Sequence, residues 1–231
     1  MTEWVDLGLE QDTSAALLER SVDLLAQTGE DGRPRLRWYL PTDQAIVLGR
    51  GQRDPTPVDG YAVIGRPSGG GAVLMDRHLL SLDVILPTGH PWLAAADLGQ
   101  VFDPVGQAWA DALTALGVPG ITIHTGPATA TRLGPPEQRP LAEICYASLG
   151  RGEVSSGGQK LVGLSQRRRR HGALIQCGLL RRWRPDPLIA ALDVGRAAQA
   201  IRAAAIGLDD VTQDPIENQA IIEAVSGRVA A

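Results

Sequence analysis

The pattern of apolar and polar positions sets helical stretches at the two ends of the chain and strands in its middle. In residues 13–28, TSAALLERSVDLLAQT, Leu17, Leu18, Val22, Leu24 and Leu25 recur at helical spacing, with Thr13 or Ser14 to cap the start and Gly29 after the end. Two short apolar runs follow, Leu36–Leu40 and Ala45–Gly49, parted by PTDQ, and read as a hairpin or adjacent strands. Turn residues fill 51–60. Tyr61–Ile64 then predicts a strand that runs into Gly65-Arg66-Pro67-Ser68-Gly69-Gly70-Gly71, and the strand pattern resumes at Ala72–Leu74 and Leu79–Leu86. Asp97–Leu116 predicts a helix, Ile121–His124 a strand, 125–140 an irregular loop and Ile144–Ser148 a strand. Val154–Leu164 crosses a Ser-Ser-Gly-Gly turn and reads as a hairpin, and Ala173–Leu180 as a further strand. Pro187–Leu192, Gly195–Ala205 and Ile216–Val225 read as helices. The order predicts an α+β domain, a mixed or antiparallel sheet flanked by helices.

Composition narrows the picture without naming a function. A chain of 231 residues suits a single domain spanning 1–231. Its 44% hydrophobic and 21% charged residues exclude global disorder, and no apolar run is long enough to span a membrane. The acidic opening MTEWVDLGLEQD lacks the basic-then-apolar pattern of a secretion signal, so a reducing, cytoplasmic setting is expected. Cys145 and Cys177 are too few for a disulfide scaffold, and neither they nor the scattered histidines have metal-ligand spacing, so no metal site is expected. Charge is uneven. Val154–Pro185 contains no acidic residue and carries +8 through Lys160, Arg167–Arg170, Arg181, Arg182 and Arg184, leaving −12 for the rest of a chain whose total is −4. Such a patch steers an anionic partner. With Trp183 as its one aromatic it lacks the stacking platforms of a nucleic-acid surface, so no nucleic-acid partner is expected.

Three places invite chemistry. A glycine triplet between strands is costly in chain entropy and points either to a tight hairpin turn or to a ligand approaching bare backbone. With Arg66 and Ser68 beside it, that loop offers a guanidinium, a hydroxyl and backbone N–H groups to a carboxylate or phosphate. Lys160 enters a strand from a Gly-Gly turn among small and apolar neighbours, which allows its ammonium to reach a cleft while its stem packs. Cys145, fifteen residues earlier, is a buried hydrophobe or, beside a cation, a nucleophile. If the strands around 145 and 160 pair, Lys160 is that cation. Cys177, in the apolar run ALIQCGLL, reads as structural.

Taken in order, four segments resemble the lipoate–protein ligase and octanoyltransferase family. They are Arg35–Tyr39 with Val47–Gln52, then Gly65–Leu74, which is similar to the family's RRxSGGGAV loop. Gln159–Arg168 is similar to its GKKxxGSAQxR strand, and Gly172–Gly178 to its LQHG strand. The resemblance spans roughly residues 35–180. It implies a biotin/lipoate protein ligase catalytic fold, related to the core of class II aminoacyl-tRNA synthetases. It also implies acylation of one lysine on a lipoyl carrier domain or a glycine-cleavage carrier protein. Lys160 stands at the family's active-site lysine, and Cys145 where the cysteine octanoyltransferases keep their nucleophile. Arg66, Ser68, Gly69, Gly70, Gly71, Ala72, Val73, Gly163 and Ser165 fall on its substrate-binding positions.

The resemblance leaves two enzymatic branches and one other open. In the transferase branch an acyl carrier protein donates an octanoyl group, which passes through a Cys145 thioester without a cofactor, with Lys160 stabilising thiolate and oxyanion. In the ligase branch ATP and Mg activate lipoate or octanoate as an adenylate held by Lys160 and Asp76, and Cys145 is a bystander. The chain ends before the accessory C-terminal domain that long ligases carry, whereas its Gly-Gly-Gly, where transferases often have GGR, leans towards the ligase. Gly65, Met75 and Cys177 stand where the family has polar residues, which admits a non-catalytic protein that binds lipoate or a carrier domain. Trp38, Leu74, Val84, Leu161 and Leu164 are the expected walls of an acyl slot. There, burial at about 0.8 kcal/mol per methylene would discriminate chain length.

Overall fold

The computed structural model describes residues 3–231; residues 1 and 2, the start of the acidic opening, lie outside it. Ten strands and seven α-helices follow in this order. Strand β1 (Val5–Asp12) and helix α1 (Ser14–Asp31) precede β2 (Arg35–Pro41), β3 (Ala45–Leu48), β4 (Ala62–Gly65), β5 (Val73–Met75) and β6 (Leu79–Pro87). Helix α2 (Phe102–Ala115), β7 (Ile121–Ile123) and α3 (Arg139–Ala142) lead to β8 (Val154–Ser156), β9 (Gln159–Arg169) and β10 (Gly172–Leu180). The chain closes with α4 (Asp186–Ala191), α5 (Ala198–Ala204), α6 (Leu208–Val211) and α7 (Asn218–Val229). Helix α1 begins where the sequence says it should. Thr13 Oγ1 accepts from Ala16 N, and the helix ends one turn late, at Gly32 in the left-handed region.

A large sheet of seven strands runs β1-β2-β6-β10-β9-β8-β7, and a small one runs β4-β3-β5. Only β1–β2 and β3–β4 pair in parallel. The expected hairpin over 36–49 does not form: β2 and β3 belong to different sheets, and PTDQ carries the chain from one to the other. Local alternation fixes a strand but not its partner.

Alternation sorts the large sheet into two faces. Trp38 of β2, Leu82 and Val84 of β6, and Ile175 of β10 pack on Trp109 of α2 and Ile221 and Val225 of α7. Trp38 stands edge-on to Trp109 at 5.4 Å and donates from Nε1 to Ser226 Oγ at 2.9 Å, which ties the last helix to the sheet. Each such side chain contributes roughly 1.5–3 kcal/mol by leaving water, so this face is the main source of stability. On the other face, Leu24 and Leu25 of α1 cover Ile85 and Leu174. Beside them Arg37 and Asp83 form a fully buried ion pair at 3.0 Å, and Asp83 also accepts from Ser21 Oγ at 2.6 Å. Burial pushes the Asp83 carboxyl up against the opposing pull of Ser21 and Arg37. The small sheet packs Ile46 and Leu74 on Leu188, Ile189 and Ile201 of the C-terminal helices.

Two further expectations are corrected. Ile144–Ser148 is not a strand. Ile144 makes a single bridge to Ala72, and Cys145–Ala147 then forms a 3-10 turn. The opening stretch, given no element from its pattern, forms edge strand β1. Half of its positions are polar, and Leu7 and Leu9 are exposed. Among the described residues no helix is long and apolar enough to cross a membrane.

Candidate active site

The glycine loop joins β4 to β5, which are not neighbours in the small sheet, so it is no hairpin turn. Gly70 sits at φ +99°, in the region that favours glycine. At Gly71 a Cβ would fall 2.6 Å from the Cys145 nitrogen. That close approach is sealed by two backbone bonds, Ala72 N to Glu143 O at 2.8 Å and Cys145 N to Ala72 O at 2.9 Å. The loop is thereby stapled to the turn carrying Cys145. Arg66 reinforces it from within, donating from Nη2 to Gly69 O at 3.1 Å and Gly71 O at 2.9 Å.

Lys160 and Cys145 do meet, though not by strand pairing. The β9 lysine is buried and its ammonium reaches the 3-10 turn, where Nζ lies 3.8 Å from Cys145 Sγ. Nζ donates to Cys145 O at 2.7 Å and Ser148 O at 3.0 Å, and pairs with Glu153 Oε2 at 2.6 Å. Four acceptors, the sulfur among them, thus surround a group with three protons. Lys160 sets a positive charge beside the sulfur. Its backbone is held too: Ile206 N donates to Lys160 O at 3.0 Å.

Glu153 escaped the sequence reading. It stands one residue before the acid-free segment, and a lone acid in a Gly-rich loop carries no periodic signal. Here its carboxylate is buried and fully engaged. Oε1 accepts from Leu164 N at 3.0 Å and Oε2 from Gly150 N at 2.7 Å, besides the Lys160 pair. Tyr146 was missed as well. Its hydroxyl donates to Gly178 O at 2.6 Å, and its ring lies 5.1 Å from Lys160 Nζ. Burial raises the Tyr146 phenol well above the usual tyrosine range, so it stays protonated and serves as a fixed strut.

Cys145, half-buried, opens on a narrow cavity of about 50 Å³ between the two sheets. Arg66, Val73, Gly163 and Ser165 line it. Its apolar walls differ from those expected. Leu18, Val47, Met75 and Leu79 supply them with Leu164. Trp38, Val84 and Leu161 belong instead to the α2 face, and Leu74 to the small-sheet cluster. Expectation failed here because the slot lies between the sheets and not within the larger core. Met75 and Cys177, two of the departures from the family pattern, both line the slot and make it more apolar. Burial pushes the Cys177 thiol up to about 12.

Ser68, Gly69, Gly70, Gly71 and Ala72 do not line the slot. Ser68, Gly71 and Ala72 are buried, and Gly69 and Gly70 are exposed on the loop. Among the described residues, four buried polar atoms in these segments lack a partner: Arg66 Nε and Ser165 Oγ, on residues that line the slot, and Ser68 Oγ and Arg167 Nε. Buried polar groups are normally satisfied, so such a cluster marks a place for a polar ligand. Asp76 does not join the site. Its carboxylate accepts from His78 N at 2.7 Å and it faces a separate recess with His78 and Arg182. Of the two residues expected to hold an adenylate, Lys160 stands at the slot and Asp76 in the neighbouring recess. Among the described residues no group of three His, Cys, Asp or Glu side chains is placed to hold a metal.

Comparison with known proteins fits this geometry. Residues 16–230 match the family model described as the lipoyl protein ligase A/B catalytic domain. The octanoyltransferase LipM of Kyrpidia tusciae is 26% identical over 235 residues, covering 94% of this chain and 83% of that protein. The bipartite lipoate protein ligase of Thermoplasma acidophilum, solved in a study with its E2 lipoyl domain, superposes with a TM-score of 0.70 at 18% identity. That match covers 99% of this chain and 82% of that one. A lipoate-protein ligase A bound with ATP gives 0.65 at 19% identity, covering 99% and 85%. Glycine loop, buried lysine and slot thus fall together within a matched span that takes in nearly the whole chain, and the protein belongs to the lipoyl protein ligase A/B catalytic-domain family.

Proposed function

We propose that the protein transfers an octanoyl or lipoyl group to one lysine of a lipoyl carrier domain or glycine-cleavage carrier protein, through a thioester on Cys145. The observation that carries this reading is the Lys160 ammonium 3.8 Å from Cys145 Sγ at the opening of an apolar slot. Cys145 thiolate attacks the carbonyl of a donor thioester, such as an acyl carrier protein's. The tetrahedral intermediate collapses, the donor's sulfur leaves as thiolate and takes a proton, and the acyl group stays on Cys145. The neutral amine of the carrier lysine then attacks that thioester, forms the amide, expels the Cys145 thiolate and loses its extra proton to water.

The chain's own residues divide the labour. Lys160, pinned by Glu153, opposes negative charge on the sulfur as it attacks and as it leaves. Arg66 Nε and Ser165 Oγ, both without protein partners, polarise the acyl carbonyl. Leu18, Val47, Val73 and Met75 hold the acyl tail, each methylene contributing about 0.8 kcal/mol. The name of the LipM relative supports an octanoyl group, and the Thermoplasma system a lipoyl-domain acceptor.

The test is transfer from octanoyl-carrier protein to a lipoyl domain, followed by mass, with and without ATP. We expect transfer without ATP and none by Cys145→Ser. Full transfer by that variant would sink the thioester route, and a strict need for ATP with free octanoate or lipoate would move the protein to the ligase branch. Carrier-domain binding with no mass change under any donor would make it a non-catalytic binding protein.

A further inference from the structure

We infer that Arg50, Arg167 and Arg169 form an anion subsite outside the acyl slot that takes the phosphate of a phosphopantetheine-type thioester donor. The inference deepens the acyl-transfer reading above and rests on it. Strand β9 alternates, so Gly163, Ser165, Arg167 and Arg169 share one face, and the first two of these line the slot. The arginines therefore continue the same face outward. Arg50 approaches from the other side. It follows β3, and its N–H donates to Ser68 O at 2.9 Å, beside the glycine loop.

None of the three guanidinium groups enters an ion pair among the described residues, although eleven ion pairs form there. Arg167 Nε is buried without a partner among the described residues. Burial, then Arg169 and Arg50, hold the Arg167 charge below the usual arginine range, and no carboxylate offsets them. Arg50 and Arg169 are exposed and Arg167 is half-buried, so the unmet charge falls mainly on Arg167, and a phosphate would supply its missing partner.

Chemistry and reach favour a phosphate on the donor over a carboxylate on the acyl group. A thioester has no free carboxylate, and its carbonyl must sit by Cys145. From Gly163 to Arg167 the strand climbs about 13 Å, which suits a pantetheine arm with its long chain between sulfur and phosphate.

The experiment uses the full chain and three donors: octanoyl-4′-phosphopantetheine, octanoyl-pantetheine without phosphate, and octanoyl-carrier protein. Acylation of Cys145 is followed by intact mass for wild type, Arg167→Gln and Arg50→Gln. We expect the phosphorylated small donor to be preferred over the unphosphorylated one by about tenfold or more in kcat/KM, with the ratio falling towards one in both variants. Equal rates for the two small donors in wild type would overturn the subsite. So would variants that slow only the protein donor, because the arginines would then meet an acidic carrier surface. Should no donor acylate Cys145, the thioester reading falls, and calorimetry with 4′-phosphopantetheine decides the subsite alone. Binding weakened about tenfold by Arg167→Gln keeps it, and absent or unchanged binding removes it.

Discussion

Burial separates the two thiols of the chain. Cys177 is 3% exposed and its thiol is pushed up to about 12, whereas Cys145 is half-buried at the slot. Iodoacetamide at neutral pH should therefore add one label to the folded protein, on Cys145, and none to Cys145→Ser. A second label on Cys177 before unfolding would contradict the assignment. Glu153 is the other residue whose role is decided by burial. Glu153→Gln leaves the Lys160 ammonium buried without its counter-charge, a change that typically costs about 3–5 kcal/mol. We expect a lower urea midpoint and at least about a tenfold loss of Cys145 acylation, since a displaced Nζ no longer faces the sulfur. Lys160→Met combined with Glu153→Gln should recover part of the lost stability but none of the activity. Additive stability losses would show that the pair is not coupled.

At the scale of elements, the strap from Glu143 to Cys145 matters most, because it joins the glycine loop to the turn carrying Cys145. Gly71→Ala forces a Cβ to within 2.6 Å of the Cys145 nitrogen, so the strap must shift. Overpacking of this kind costs about 1–3 kcal/mol. We expect the variant to fold, with a modest fall in melting temperature, and to acylate Cys145 far more slowly. Wild-type acylation would refute the strap's role. A second element-scale feature is the corner where His90 lies 5.7 Å from Trp4 and 5.3 Å from Trp92. Burial holds His90 below its usual value of 6.5. A base depressed on folding contributes stability above its unfolded value, and that stability is lost as pH falls through the folded value. Tryptophan fluorescence should thus report a looser corner as pH drops from about 7 to 5, and His90→Gln should remove that dependence. These elements also show what sequence can and cannot tell. The central strands β6 and β10 were legible because long apolar runs ended at turn residues, whereas β9 was read only to Leu164 and continues to Arg169 through an arginine run that carries no apolar period. Edge strand β1 was not, since one exposed face and acidic positions blur its period. ICYAS has a strand's composition yet turns, because Gly71 lets another backbone press against it.

The site belongs to neither sheet. Arg66 and the glycine loop come from the small sheet, Lys160 and Ser165 from the large one, and Cys145 from the turn between them. That is why the sequence yielded the participants by motif but misplaced the slot's walls. Contacts across two sheets leave no trace in a local pattern, and Glu153, which holds Lys160 in place, sits in an irregular loop. On the proposed thioester route, the acyl group rests on Cys145 before it reaches a carrier lysine. A two-step, ATP-free mass experiment tests that order. The protein is loaded from octanoyl-carrier protein, freed of donor, and then given the lipoyl domain. The expected result is one octanoyl mass on Cys145 that is released by hydroxylamine and passes to the domain as an amide. A domain acylated while Cys145 never carries the group, or acylated only when ATP is added, would contradict it.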